Sequence, residues 1–102
     1  MNTVVFNPLA VDDLEDITGY IAQDNPVAAE AVRQSILDTA ERLALHPSLG
    51  IRPRFSSARY AGIRFLPAHP YPMYLLFYRE LNSEIEVLRI LHGARNLPPL
   101  FE

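Results

Sequence analysis

The chain contains no cysteine and no lysine. Without a thiol, disulfides, thiolate catalysis and zinc–sulfur centres are excluded. Without an ε-amine, Schiff-base chemistry and lysine acid–base chemistry are excluded as well. All nine basic residues are arginine, a group that stays protonated at any accessible pH and so binds anions without shuttling protons. A long hydrophobic run is also missing: the opening MNTVVFNPLAVDDLED has no basic stretch, and its apolar run breaks at Pro8 and Asp12. Neither a signal peptide nor a membrane span is expected, which makes the cytoplasm the default compartment. There is no glycine-rich phosphate loop, nucleophile elbow or redox pair. The three histidines, His46, His69 and His92, lack metal-ligand spacing, so no metal or other cofactor is expected.

What remains is an ordinary globular composition. At 102 residues, 49% hydrophobic and 21% charged, the chain is expected to form one domain over residues 1–102 with a modest core. The formal charge of −3 conceals a division. Residues 1–50 carry eight acids against Arg33 and Arg42, a balance of −6, while residues 51–102 carry seven arginines against four acids, a balance of +3. Either the second half faces something negative or the two halves attract each other.

Local patterns give an order of elements. TVVF (3–6) is a β-branched and aromatic strand. Asn-Pro at 7–8 and again at 25–26 supplies a capping side chain followed by proline at the first helical position, so two helices begin there. In the first, Ala10, Leu14, Ile17 and Ile21 share a face; in the second, Ala29, Val32, Ile36, Ala40 and Leu43 do, and Pro47 ends it. The short joint makes the two an antiparallel hairpin. Gly19, inside the first helix, implies close approach of a neighbouring helix. Residues 47–62 read as an ordered surface loop, followed by a strand at 61–66 and a proline-rich connector at 67–72. The stretches 73–81 and 84–93 form a hairpin around Asn82-Ser83, and 94–102 reads as an extended tail.

The fold class is therefore α+β, βααβββ, with the helical hairpin packed on a mainly antiparallel sheet. Leu75, Leu76 and Phe77 are consecutive, as are Val87 and Leu88, so both sheet faces are apolar and the helices can cover one. The other needs a loop, a second copy or a foreign chain.

Candidate functional residues gather late in the chain. VLRILHGARN (87–96) runs from a buried strand into His92, Gly93 and Arg95. His92 is an imidazole, the side-chain type whose ordinary titration lies near neutrality, with arginines on both sides, yet a hydrogen-bonded structural role is the favoured reading. Arg64, Arg79, Arg89 and Arg95 with Tyr60, Tyr74 and Tyr78 would make a surface for phosphate or stacked bases. Alternatively, Arg79 and Arg89 pair with Glu80, Glu84 and Glu86 across the hairpin; Arg95 has no acid nearby. The acids of the first helix read as a solvated face.

Three stretches, DLEDITGYIAQDNPVAAEAV (13–32), YLLFYREL (74–81) and IEVLRILHGARNL (85–97), in this order resemble the RelE/ParE toxin superfamily of toxin–antitoxin pairs over nearly the whole chain. The ending His-Gly-Ala-Arg is similar to the ParE branch, often labelled plasmid stabilisation proteins. The resemblance implies a RelE/ParE-like fold, a cognate antitoxin as partner and one of two activities. ParE-like relatives are associated with poisoning DNA gyrase without a known catalytic set. RelE-like relatives cut messenger RNA on the ribosome with strand lysines and arginines and a C-terminal tyrosine. On that second pattern Arg95 matches, but the central-strand arginine falls near Leu75, a strand lysine near Arg64 and the tyrosine near Phe101. His92 could stand in as base, so the ribonuclease set would be His92, Arg95 and Arg64. In-line attack by a ribose hydroxyl needs a base, an acid and charge stabilisation, and the first two are thinly supplied. The expectation is therefore a gripping corner of Arg95, His92, Arg64 and Tyr60 that holds a protein target, with no catalytic residue, no membrane and no sequence-specific nucleic-acid binding. A scaffold that only binds its antitoxin is the third reading.

Overall fold

The computed structural model describes residues 2–52 and 62–93. Its elements run β1 (Thr3–Phe6), α1 (Pro8–Ala22), α2 (Pro26–Leu45), β2 (Arg64–Pro67), β3 (Tyr74–Leu81) and β4 (Glu84–His92). Both helices start as the Asn-Pro pairs predict. The Asn7 side chain accepts the Leu9 N–H at 2.9 Å and the Asn25 side chain the Ala28 N–H at 3.0 Å, each satisfying an otherwise orphaned donor.

The sheet order is β1-β4-β3-β2, with β1 parallel to β4 and the other pairs antiparallel. A mixed sheet follows from the topology. The helical hairpin carries the chain back across one face, so β1 and β4 end side by side running the same way. The α1–α2 layer covers that face with Ala10, Leu14, Val32, Ile36 and Ala40 against Leu76, Val87 and Ile90. Leu43, Tyr78 and Ile85 continue the core toward the end of α2. The opposite face holds a second cluster, Ile63, Phe77 and Leu91, with Phe65, Leu75 and Leu88 partly buried around it. This is the two-faced apolar sheet that the consecutive hydrophobic residues imply.

A β-bulge explains how β4 serves both faces. Phe77 lies opposite Arg89 and Tyr78 opposite Val87, so Leu88 is an extra residue without a partner on β3. A bulge shifts the two-residue alternation by one. Ile85, Val87 and Ile90 therefore all face the helices, while Leu88 and Leu91 join the other cluster.

Two expectations change. The strand predicted at 61–66 occupies Arg64–Pro67, because Gly62 adopts a left-handed φ of +86° that interrupts extended backbone. Gly19 is exposed, and a Cβ built on it would meet nothing within 4 Å. No helix approaches it closely, so the packing explanation for that glycine is wrong. The tail at 94–102 and the loop beyond Arg52 as far as residue 61 lie outside the described residues.

Candidate target-binding corner

Of the four residues expected to grip a target, His92 and Arg64 are described, and Arg95 and Tyr60 lie outside the described residues. His92 ends β4 opposite Tyr74. The two rings meet edge to face, centroids 5.6 Å apart and planes at 89°, and Tyr74 in turn packs on the helix-side core. The Gly93 N–H donates to the Met73 carbonyl at 2.7 Å, closing the sheet where the chain leaves it. His92 is half-buried, a ring held by a neighbour.

Arg64 opens β2 opposite Tyr78. Its Nη1 donates to the Gly50 carbonyl at 3.1 Å. The same node includes Tyr78, whose hydroxyl donates to the Pro47 carbonyl at 2.7 Å and accepts the Gly50 N–H at 2.9 Å. Arg64 thus fastens the segment after α2 to the edge of the sheet, where Ile51 and Phe65 exchange backbone hydrogen bonds of 2.7 and 2.8 Å. Gly50 is required here: a Cβ would sit 2.5 Å from the Tyr78 hydroxyl and 2.9 Å from the Phe65 carbonyl. Tyr78 and Arg64 therefore belong to a structural joint.

The register separates the two site residues. His92 is one strand to one side of Tyr74 and Arg64 one strand to the other side of Tyr78. With about 3.3 Å per residue and 4.8 Å per strand, their Cα atoms lie roughly 16 Å apart. They do not converge on one phosphate while Arg64 holds Gly50.

The arginine–tyrosine surface is likewise absent among the described residues, because its members are engaged elsewhere. Tyr78 is fully buried. Arg79 pairs with Glu86 at 3.1 Å across the hairpin, as the cross-strand alternative has it. Arg89 also has an acid partner, but not one in the hairpin. Its Nε and Nη2 donate to the two oxygens of Asp13 on α1 at 2.8 and 2.9 Å. Asp13 Oδ2 also accepts the Ile90 N–H at 2.9 Å. The hydrogen bond to Asp13 pushes the Arg89 guanidinium above its ordinary range, against the opposing effect of burial. Asp13 therefore leaves the solvated acidic face that sequence reasoning assigned it to. The signal that could have found it is its position one residue before Leu14 on the buried face, within reach of whatever strand α1 crosses.

Among the described residues no group of three histidine, aspartate or glutamate side chains could hold a metal ion, and no helix is long and apolar enough to cross a membrane. What the corner offers is a positioned imidazole at the sheet's exit, with the apolar second face nearby.

Comparison with known proteins identifies the family of the chain. The model of the ParE toxin of the type II toxin–antitoxin system parDE matches residues 4–97. The chain is 30% identical over 95 residues to Toxin RelE2 of Caulobacter vibrioides, covering 93% of this chain and 99% of that protein. It is 29% identical over 89 residues to Y4kP of Sinorhizobium fredii, covering 87% and 85%. In fold it is similar to a chain of the chromosomal ParDE toxin–antitoxin system from P. aeruginosa, with a TM-score of 0.72 over 90% of this chain and 96% of that one at 22% identity. With the family match spanning all six elements, from β1 to beyond β4, this chain belongs to the ParE toxin family of type II toxin–antitoxin systems.

Proposed function

We propose that the chain arrests growth by binding DNA gyrase without catalysing a reaction on it, and that a cognate antitoxin neutralises it. The observation that carries this reading is that the described sheet arginines, Arg64 of the ribonuclease set among them, are engaged within the protein. Arg64 is tied to Gly50, Arg89 to Asp13 and Arg79 to Glu86. Guanidiniums held in this way are not placed to meet transition-state charge on a cleaved phosphodiester. Membership of the ParE family supports the gyrase target over the ribosome.

The target-binding set is Arg95, His92, Arg64 and Tyr60, with Arg95 as its principal contact and Arg64 acting through the loop it holds. The antitoxin lies on the face that the helices leave uncovered, where Phe65, Leu75 and Leu88 remain partly exposed around Phe77 and Leu91. An amphipathic segment suits such a surface.

The test is gyrase supercoiling with purified toxin. Inhibition at micromolar toxin is expected, relieved by Arg95→Ala with unchanged circular dichroism and antitoxin binding. An uninhibited enzyme at that concentration overturns the reading. Ribosomes programmed with messenger RNA should show no new cuts in the A site, and cuts that vanish in His92→Ala would install the ribonuclease in its place.

A further inference from the structure

The bulge in β4 has a consequence for His92. Along an uninterrupted strand, Ile85 and Val87 on the helix side would be followed there by Arg89 and Leu91, and His92 would emerge on the opposite face. The unpaired Leu88 reverses this, so that Ile90 and then His92 come to the helix side, where His92 meets Tyr74. The face on which His92 leaves the sheet is therefore decided four residues earlier, at the bulge.

The hydrophobic pattern alone does not place the bulge, because Val87, Leu88, Ile90 and Leu91 are apolar whichever face they take, so a contact that distinguishes the two alternations is needed. Asp13 is the group in place to supply it. β4 runs on past Val87, where its pairing with β1 ends. Just beyond, Asp13 accepts the Ile90 N–H and both facing nitrogens of Arg89. Three charge-assisted hydrogen bonds on one carboxylate fix which residue of β4 sits beside α1. A half-buried ion pair contributes little net stability compared with apolar packing, and its best-attested role is to specify register. The pair also joins two stretches far apart in sequence, DLEDI and VLRILHGAR.

We propose that Asp13 is a positioning residue for the target-binding corner: its carboxylate locks the β4 bulge and thereby sets the face to which His92 is presented. This rests on the proposed role of that corner, and its test has a readout independent of gyrase. Isotope-labelled full-length toxin is compared with Asp13→Ala, Asp13→Asn and, as a control that weakens the same helix without touching the carboxylate, Leu14→Ala. The ring-current-shifted resonances of His92 beside Tyr74 are followed by NMR. In Asp13→Ala they should move toward the values of a free imidazole while the Ile36 and Leu76 methyl signals hold. Asp13→Asn, which keeps one acceptor, should move part of the way, and Leu14→Ala should leave them in place. The dose for half-inhibition of gyrase should rise at least tenfold in Asp13→Ala and less than threefold in Leu14→Ala. His92 resonances unmoved in folded Asp13→Ala overturn the proposal whatever gyrase does; if that variant does not fold, Asp13→Asn decides in the same way. A wild-type toxin that fails to inhibit gyrase removes the proposed target, yet the His92 shifts still answer the question about Asp13.

Discussion

Tyr78 and Gly50 join the end of α2 to the sheet through contacts with no spare volume, and the phenol makes that joint sensitive to alkali. Burial pushes the Tyr78 hydroxyl above its ordinary value, outweighing the Gly50 hydrogen bond and the Arg64 charge that act to lower it. In the unfolded chain the same phenol ionises near pH 10. Above that pH the folded state keeps a proton the unfolded state has lost, so stability is intact below about pH 10 and declines as pH climbs through the folded value. Tyr78→Phe removes this dependence and leaves the Gly50 N–H and Pro47 carbonyl without their partner, at about 1–3 kcal/mol. Thermal melts should therefore start lower for the variant at neutral pH, with the two curves approaching each other as the pH is raised above about 10. Curves that stay parallel over that range would mean that Tyr78 ionises as it does in the unfolded chain.

At the scale of elements, the β3–β4 turn invites a second measurement. Asn82 and Ser83 both have left-handed φ values, 53° and 64°, as a two-residue turn between twisted strands requires. Asparagine tolerates this and serine does so poorly, the left-handed conformation costing an ordinary residue roughly 1–2 kcal/mol. The Ser83 carbonyl accepts the Thr3 N–H at 3.1 Å, a backbone contact that any residue supplies. Ser83→Gly should raise Tm by about 3–6 °C, the net of relieved strain and greater freedom in the unfolded chain; an unchanged or lower Tm would place the strain elsewhere. This turn was legible in the sequence, as were both helix starts, because Asn-Pro and Asn-Ser act on their own few residues. Ala10, Leu14, Val32 and Ile36 were legible as core because their spacing repeats the helical period. The bulge at Leu88 was not, since Val-Leu-Arg-Ile reads equally well in either alternation until the pairing with β3 and the contacts from Asp13 distinguish them. Asp13 was missed for a related reason. Four acids crowd the start of α1, and only the crossing of α1 over β4 singles out one of them. The corner shared both properties: His92 was visible as a titratable ring at a strand's end, whereas the engagement of Arg64 with Gly50 depended on a loop whose path no local pattern encodes.

For the whole molecule, the division of charge becomes spatial. Asp12, Glu15, Asp16, Asp24, Glu30, Asp38 and Glu41 are all exposed on the helical layer, while Arg64, Arg79 and Arg89 in the sheet are each engaged within the protein. Nucleic-acid binding draws its affinity from cations that displace counterions from phosphates. A chain of net charge −3 whose described sheet arginines are already bound has few to offer, and its helical layer repels a polyanion. A fluorescent 20-nucleotide RNA at physiological salt should therefore show no binding tighter than about 100 μM by anisotropy, weaker than the usual non-specific range. Lowering the salt should change this little, because few counterions would be released. Low-micromolar binding with a steep salt dependence would instead mean that residues 53–61 and 94–102, which carry Arg54, Arg59 and Arg95, present a cationic surface strong enough to overcome the helices. That outcome would move the target from a protein to a polyanion.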